Sequence, residues 1–105
     1  MKYIKATIRP EKFDSVRDAL YHIGIEFFTY TDVTGVSFQQ EQKYSYRGRT
    51  LYDSGKVTLR VVDVIVPDED ASEVIEVIKK SAQTGMVGDG KIFMWDLEHS
   101  ERISK

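Results

Sequence analysis

A strand–proline–helix pattern occurs twice in this chain, and it constrains the fold more than any other feature. In the first copy the alternating segment Lys2 to Arg9 ends at Pro10, and a helical pattern follows. In the second copy the β-branched segment Val57 to Val66 ends at Pro67, and another helical pattern follows. Each helix is followed by glycine and a further extended segment. Two successive strand–helix–strand units predict an α+β, ferredoxin-like (βαβ-βαβ) domain, a four-stranded antiparallel sheet with both helices on one face.

The spacing of apolar residues sets the other expected boundaries. A first helix is expected from Glu11 and to end at Gly24, and a second strand from Ile25 to Val33, closing at Gly35. The fourth strand is expected over Lys91 to Leu97, with Phe93 and Trp95 packed in the core.

Aromatic residues lie on too many positions for the helices alone to cover them. Tyr3, Phe27, Phe28 and Tyr30 cannot all point toward two helices. The sheet face opposite the helices therefore needs a cover, and a second copy of the chain is the simplest one. We accordingly expect an oligomer.

Composition excludes several classes of function. The 105 residues carry a net charge of −2 and no cysteine. Disulfides, thiolate zinc sites and cysteine nucleophiles are therefore excluded, and the absence of a clustered basic face argues against nucleic acid. No apolar run is long enough for a membrane span or a signal peptide, so the expected location is cytoplasmic, not membrane-embedded. One domain over residues 1–105 is expected, and no catalytic constellation suggests an enzyme.

A polar, tyrosine-bearing segment interrupts the pattern between the second and third strands. It spans residues 37–56 approximately and contains few aliphatic residues. Loops of this length within a compact domain are usually functional or disordered. We interpret this one as a long flexible interaction loop, with candidate partner-binding residues Tyr44, Tyr46, Arg47, Arg49 and Tyr52.

A glycine-rich segment, Thr84 to Lys91, joins the second helix to the last strand. Its glycines permit positive φ angles, and successive N–H groups in such a segment form a nest for an anion. Lys91 adds a point charge beside the last glycine, whereas Asp89 is expected to accept backbone N–H groups that shape the loop. Phosphate binding and a plain helix-to-strand turn are both compatible with these residues taken alone.

Longer motifs extend this observation over nearly the whole chain. Thr84-Gly85-x-x-Gly88-Asp89-Gly90-Lys91-Ile92-Phe93 resembles the C-terminal signature of the P-II signal-transduction family. The opening segment from Ile8 to Ile25, the motif Thr29-x-Thr31-x-Val33-x-Gly35 and the tripeptide Tyr46-Arg47-Gly48 are similar to the same family. The resemblance implies a divergent member: a cytoplasmic homotrimer that binds ATP or ADP between subunits and contacts a membrane transporter or metabolic enzyme through its T-loop, in nitrogen or carbon metabolism.

The resemblance also implies a set of nucleotide-binding residues. Gly88, Asp89, Gly90 and Lys91 would surround the phosphates, and Ile65 would contact the adenine. Thr29 and Arg102 would come from the neighbouring subunit. The implied set is completed at the base of the long loop by Gly35, Ser37, Phe38 and Gln39, of which Gln39 would also help to hold Mg²⁺.

Departures from the family pattern modify these expectations. Gly35-Val36-Ser37-Phe38-Gln39 stands where the family has Gly-x-Gly-Arg-Gln, and Ser104 replaces a tail arginine, so ADP or AMP should compete better against ATP. Leu59 stands at the lysine that pairs with 2-oxoglutarate. Arg60 beside it should point to the opposite face of the strand, which makes 2-oxoglutarate a doubtful ligand. The alternative function is a ferredoxin-like structural or metal-responsive trimer without nucleotide signalling.

Overall fold

Six strands and two helices make up the structure, a computed structural model that describes residues 1–36, 43–46, 49–52 and 55–104, with the backbone alone for 43–46 and 49–52. In chain order the elements are β1 (Lys2–Ile8), α1 (Phe13–His22), β2 (Thr29–Val36), β3 (Lys43–Tyr46), β4 (Arg49–Tyr52), β5 (Lys56–Val66), α2 (Ala71–Ala82) and β6 (Gly90–Asp96). A single 3₁₀ turn precedes each helix, at Pro10–Lys12 and at Asp68–Asp70.

The main sheet has the strand order β2-β5-β1-β6, and every neighbouring pair in it is antiparallel. The two long central strands, β1 and β5, pair from Lys2 opposite Val66 to Ile8 opposite Arg60. β3 and β4 form a separate two-stranded ribbon. The α+β, ferredoxin-like plan predicted from the repeated pattern is confirmed.

The core lies between the helices and one face of this sheet. Alternate residues of β1 point to the helices, as do alternate residues of β5, because side chains of a strand alternate between faces. Helix residues three or four apart meet them. The residues of this single cluster are Ile4, Ala6, Ile8, Phe13, Val16, Leu20, Val62, Val64, Val66, Ala71, Val74, Ile78 and Ala82, each no more than 9% exposed.

The second strand begins later than the sequence pattern predicted. Ile25 to Phe28 is not a strand, and β2 instead runs from Thr29 to Val36. The reason is the end of α1, where Gly24 has φ +89° and the Ile25 N–H donates to the Leu20 carbonyl at 3.0 Å. This helix cap commits Ile25 to the helix end, and the following residues serve as a connection. From that connection Ile25 and Phe28 pack against the core, whereas Phe27 is exposed.

The placement of Phe93 and Trp95 in the core was wrong. Both side chains lie on the sheet face opposite the helices, where they are 48% and 45% exposed. Ile92 packs against the core, so its neighbours in β6 must point the other way. Trp95 stacks on Tyr3 of the adjacent strand, with 4.5 Å between ring centroids.

The sheet face opposite the helices, here called the outer face, carries several large apolar side chains among polar ones. By register it carries alternate residues of all four strands of the main sheet. Polar exceptions include Asp63, which accepts a hydrogen bond from the Tyr3 hydroxyl at 2.8 Å. The apolar members of this face are Val33, Val57, Leu59, Val61, Ile65, Phe93 and Trp95.

Neither helix among the described residues is both long and apolar enough to cross a membrane.

Candidate functional site

The glycine-rich segment connects α2 to β6, and three of its glycines have positive φ angles. Gly85, Gly88 and Gly90 have φ angles of +83°, +96° and +109°. Residues with a side chain rarely adopt such values, so glycine at these positions sets the path of the loop. The predicted requirement for positive φ angles in this segment is confirmed.

Gly90 is required for a second reason, which is its contact with β1. A Cβ atom built on Gly90 would lie 1.7 Å from the carbonyl oxygen of Thr7. The Thr7 side chain binds the backbone of the next residue, Lys91. Its hydroxyl accepts the Lys91 N–H at 3.0 Å and can donate to the Lys91 carbonyl at 3.3 Å. Thr7 and Gly90 therefore fix where β6 starts along β1.

Asp89 organises the interior of the loop. One carboxylate oxygen accepts the N–H groups of Thr84 and Gly85 at 2.8 and 3.0 Å. The other accepts the Thr84 hydroxyl and the Arg9 Nε–H, the latter at 2.9 Å. These hydrogen bonds, led by the one from the Thr84 hydroxyl, hold the pKa of Asp89 well below its usual range. The expectation that Asp89 accepts backbone N–H groups and shapes the loop is confirmed.

A cavity of about 590 Å³ lies between this loop and the paired ends of β2 and β5. It brings together five of the predicted nucleotide-binding residues: Gly35, Gly88, Asp89, Gly90 and Lys91. One side of the cavity carries Lys91 and the ion pair of Arg9 with Asp89. The rest of its lining is largely apolar, with Val36, Val57, Leu59, Met86 and Val87.

Two other predicted residues share a different cavity on the same chain. Thr29 and Ile65 line a smaller space of about 160 Å³, together with Tyr3, Phe27 and Asp63. Ile65 is 45% exposed on the outer face. Arg102 is exposed in the segment that follows β6. Among the described residues of one chain, therefore, the predicted nucleotide-binding residues do not line one common cavity.

Several predicted residues lie outside what the structure describes. Ser37, Phe38, Gln39 and Arg47 are not described, which includes the proposed Mg²⁺ contact of Gln39. Of the candidate partner-binding residues, Tyr44 and Tyr46 fall on β3 and Arg49 and Tyr52 on β4, as backbone positions only.

The orientation predicted for Arg60 is confirmed. Leu59 lines the larger cavity, whereas the Arg60 guanidinium lies on the helix face and bonds both carboxylate oxygens of Asp32, at 2.7 and 3.2 Å. This pair lowers the pKa of Asp32. The guanidinium also lies 4.6 Å from the ring centroid of Phe13 and 4.5 Å from that of Tyr30. Arg60 is thus held on the face opposite Leu59.

Arg9 is the residue that the site prediction missed. Besides its bond to Asp89, it donates from Nη2 to the Val87 carbonyl at 2.9 Å, and it lines the larger cavity. The sequence did contain a signal, since Arg9 precedes Pro10 just as Val66 precedes Pro67 in the second copy of the pattern. A cation at a place where the other copy has a core residue indicates a role outside the core.

Comparisons with known proteins agree with this geometry. The family model described as "Nitrogen regulatory protein P-II" matches residues 1–105. The chain belongs to the P-II family. It is 43% identical over 103 residues to a nitrogen regulatory protein P-II of Haemophilus influenzae, covering 98% of this chain and 91% of that protein. It is 44% identical to nitrogen regulatory protein P-II 2 of Methanothermobacter thermautotrophicus, with coverage of 98% and 89%.

A third relative is the nitrogen regulatory protein GlnK of Escherichia coli, which is 39% identical over 103 residues, 98% of this chain and 91% of that protein. These relatives are named as regulatory proteins. The P-II assignment inferred from the glycine-rich signature and the N-terminal motif is therefore confirmed over nearly the entire chain.

Replacing Gly90 with alanine should destabilise the protein strongly. The new Cβ would overlap the Thr7 carbonyl, and the backbone would hold an L-residue at φ +109°. We expect a loss of roughly 3 kcal/mol or more in the free energy of unfolding, measured by urea denaturation at fixed protein concentration. Gly35→Ala is the control, because its Cβ would meet only the Val57 carbonyl at 3.7 Å. Equal stability of the two variants would contradict the close approach.

Asp89 should make the stability of the protein sensitive to acid. Its pKa is lower in the folded chain than in the unfolded chain, so its contribution is complete above about pH 4 and is lost as the pH falls further. Asp89→Asn should lower the free energy of unfolding at pH 7. Between about pH 5 and pH 2, where carboxylates titrate, the free energy of unfolding of this variant should fall less than that of wild type. Asp14→Asn, in a side chain that is 79% exposed, should retain the wild-type decrease. If the free energy of unfolding of Asp89→Asn falls with pH as much as that of wild type, Asp89 is not the source of the acid sensitivity.

Proposed function

We propose that this chain is a cytoplasmic P-II-type regulator that binds adenine nucleotides between the subunits of a homotrimer. In this proposal ATP or ADP, with AMP as a further candidate, changes the state of the segment 37–56. That segment then controls a membrane transporter or metabolic enzyme in nitrogen or carbon metabolism. The proposal adds a ligand, an assembly and a mode of action to the family assignment.

The observation that carries the nucleotide proposal is the glycine-rich loop and its cavity. Gly88 and Gly90 bend the backbone beside Lys91, and the fixed loop borders a cavity with a second cation, Arg9. Backbone N–H groups in such a conformation, together with a lysine, suit the oxygens of a phosphate chain. Asp89 is itself an anion, but its charge is directed to Arg9 and to loop N–H groups.

The separation of the predicted residues into two cavities supports a site between subunits. The glycine-rich loop borders one cavity, whereas Thr29 and Ile65 border another that reaches the outer face. A nucleotide has a charged phosphate chain at one end and a flat aromatic base at the other. Two chains that associate through their outer faces could each supply one of these half-sites.

The apolar lining of the larger cavity bears on the choice of ligand. Leu59 stands where a lysine would pair with 2-oxoglutarate, and Arg60 is engaged with Asp32 on the other face. A dicarboxylate would therefore lose a cationic partner at this position. We propose that the nucleotide, and not 2-oxoglutarate, is the main signal, with Mg²⁺ held through the nucleotide and Gln39.

Isothermal titration with ATP, ADP and AMP tests the nucleotide proposal. We expect wild-type protein to bind at least one of them, and Lys91→Ala to weaken that binding by several-fold or more because a phosphate loses its lysine. Lys80→Ala, an exposed lysine in the last turn of α2, is the control and should keep wild-type affinity.

Native mass spectrometry of the purified protein should also detect co-purified nucleotide. If wild-type protein binds none of the three nucleotides at millimolar concentration, the structural or metal-responsive trimer becomes the better explanation.

The outer face should hold the subunits together. Phe93→Asp would place a carboxylate among apolar side chains of that face, and desolvating it would be costly. We expect this variant to have a lower oligomeric mass than wild type in native mass spectrometry, with its circular dichroism retained. Tyr21→Asp, a 76% exposed position on α1, should preserve the wild-type mass. A trimer in both variants would assign the subunit contact to another surface.

A further inference from the structure

Arg9 lies directly opposite the glycine-rich loop because of the register between β1 and β6. The last pair of that register joins Ile8 to Gly90, so Arg9, the residue directly after β1, comes next to Asp89, the residue directly before Gly90. Pro10 keeps Arg9 in an extended conformation, with φ −66° and ψ +136°. The side chain of Arg9 therefore leaves β1 at a fixed place.

The guanidinium of Arg9 ties two points of the loop together. Its Nε–H donates to Asp89 and its Nη2–H to the Val87 carbonyl, both at 2.9 Å. Gly88 lies between these two acceptors, and a Cβ built on it would be 3.4 Å from the same Nη2. Two N–H groups of the planar guanidinium therefore fix the turn at Gly88, with a geometry that the single nitrogen of a lysine would reproduce less well.

Apart from Arg9 and Asp89, the described residues hold the outer part of the loop through one hydrogen bond, from the Met86 N–H to the Thr84 hydroxyl at 3.2 Å. Met86 and Val87 are 71% and 89% exposed, and three glycines in the segment lower the cost of alternative backbone conformations. Asp89 binds the first residues of the loop, Thr84 and Gly85, through their N–H groups. Arg9 therefore joins the whole cluster to the rigid end of β1, since it binds both Asp89 and Val87.

The second copy of the strand–proline pattern shows that packing does not require an arginine here. Val66, which precedes Pro67, is 2% exposed and belongs to the core. The side chain of Arg9, which precedes Pro10, is instead 27% exposed and lines the cavity. The two halves of the fold differ at this position, and the difference falls where the ligand is proposed to bind.

We infer that Arg9 is a positioning residue of the nucleotide site, one that holds Val87–Asp89 in the ligand-binding conformation before the ligand arrives. This inference rests on the proposed nucleotide function. A loop that must be ordered on binding lowers affinity by the free energy of ordering, and Arg9 removes part of that cost. The two hydrogen bonds that the guanidinium makes are to the protein's own chain, which gives Arg9 a positioning role, and a comparison of ATP with ADP distinguishes that role from direct contact with phosphate.

The closing experiment compares Arg9→Gln and Arg9→Lys with wild type. Arg17→Gln is the matched control. Among the described residues, Arg17 forms ion pairs with Asp14 and Asp18, and all three lie on the exposed side of α1. Titration with ATP and with ADP gives the dissociation constants. Hydrogen exchange of residues 84–91, with β1 as an internal reference, reports the order of the loop in ligand-free and ADP-saturated protein.

We expect Arg9→Gln to raise both dissociation constants by about tenfold and by the same factor, since ordering the loop costs the same for either nucleotide. Arg9→Lys should fall between this variant and wild type. In ligand-free Arg9→Gln the loop amides should exchange faster, while the amides of β1 keep their wild-type rates. Saturation with ADP should restore the protection of the loop.

Three results would overturn the inference. Wild-type affinity in Arg9→Gln would show that Arg9 is not needed to position the loop for binding. A larger loss for ATP than for ADP would indicate direct contact with the terminal phosphate. Faster exchange throughout β1 would indicate general destabilisation. If wild-type protein binds neither nucleotide, the proposed function fails, and exchange in the ligand-free variants still decides whether Arg9 orders the loop.

Discussion

The main sheet carries large apolar side chains on both faces, and the rest of the structure depends on this constraint. Two helices are enough to cover one face, where Ile4, Val62 and Val64 are almost completely buried. The outer face retains half-exposed Ile65, Phe93 and Trp95 in the single chain. Contiguous apolar surface of this kind marks an interaction site in most proteins. Leu59 lies on the same face and lines the cavity beside the glycine-rich loop, so the proposed assembly and the proposed ligand site would share one surface.

Sequence reasoning predicted the parts of this molecule that depend on local patterns. The repeated strand–proline–helix unit specified the element order, and Gly85, Gly88 and Gly90 specified the loop. It failed at Ile25 to Phe28 because apolar β-branched and aromatic residues suit a packed connection as well as a strand. It misplaced Phe93 and Trp95 because alternation shows which residues share a face, but not which face the helices cover. Arg9 was missed because its partners, Val87 and Asp89, are distant in the sequence and meet it only through strand register.

The candidate site was predictable in composition but not in geometry. The P-II signature identified Gly88 to Lys91, and the structure gathers them with Gly35 around one cavity. The signature could not show that Thr29 and Ile65 line another cavity. This division follows from the sheet, because those two residues lie far along β2 and β5 from the ends that border the loop. The single chain therefore presents two separate cavities, and this separation is the physical reason for which the proposed function places the nucleotide between subunits.

The position of the larger cavity also explains how a ligand could influence the segment 37–54. That segment is joined to the end of β2 at Val36 and to the start of β5 through Gly55 and Lys56. Gly35, Val36 and Val57 line the cavity, so the two ends of the segment begin at its wall. A ligand placed there would contact β2 and β5 on one side and the loop held by Arg9 and Asp89 on the other. Since β1 fixes the second side, the free energy of binding would act mainly on the first, where the segment starts. Coupling between ligand and segment would then require no long-range pathway, because the residues at the base of the segment also line the cavity.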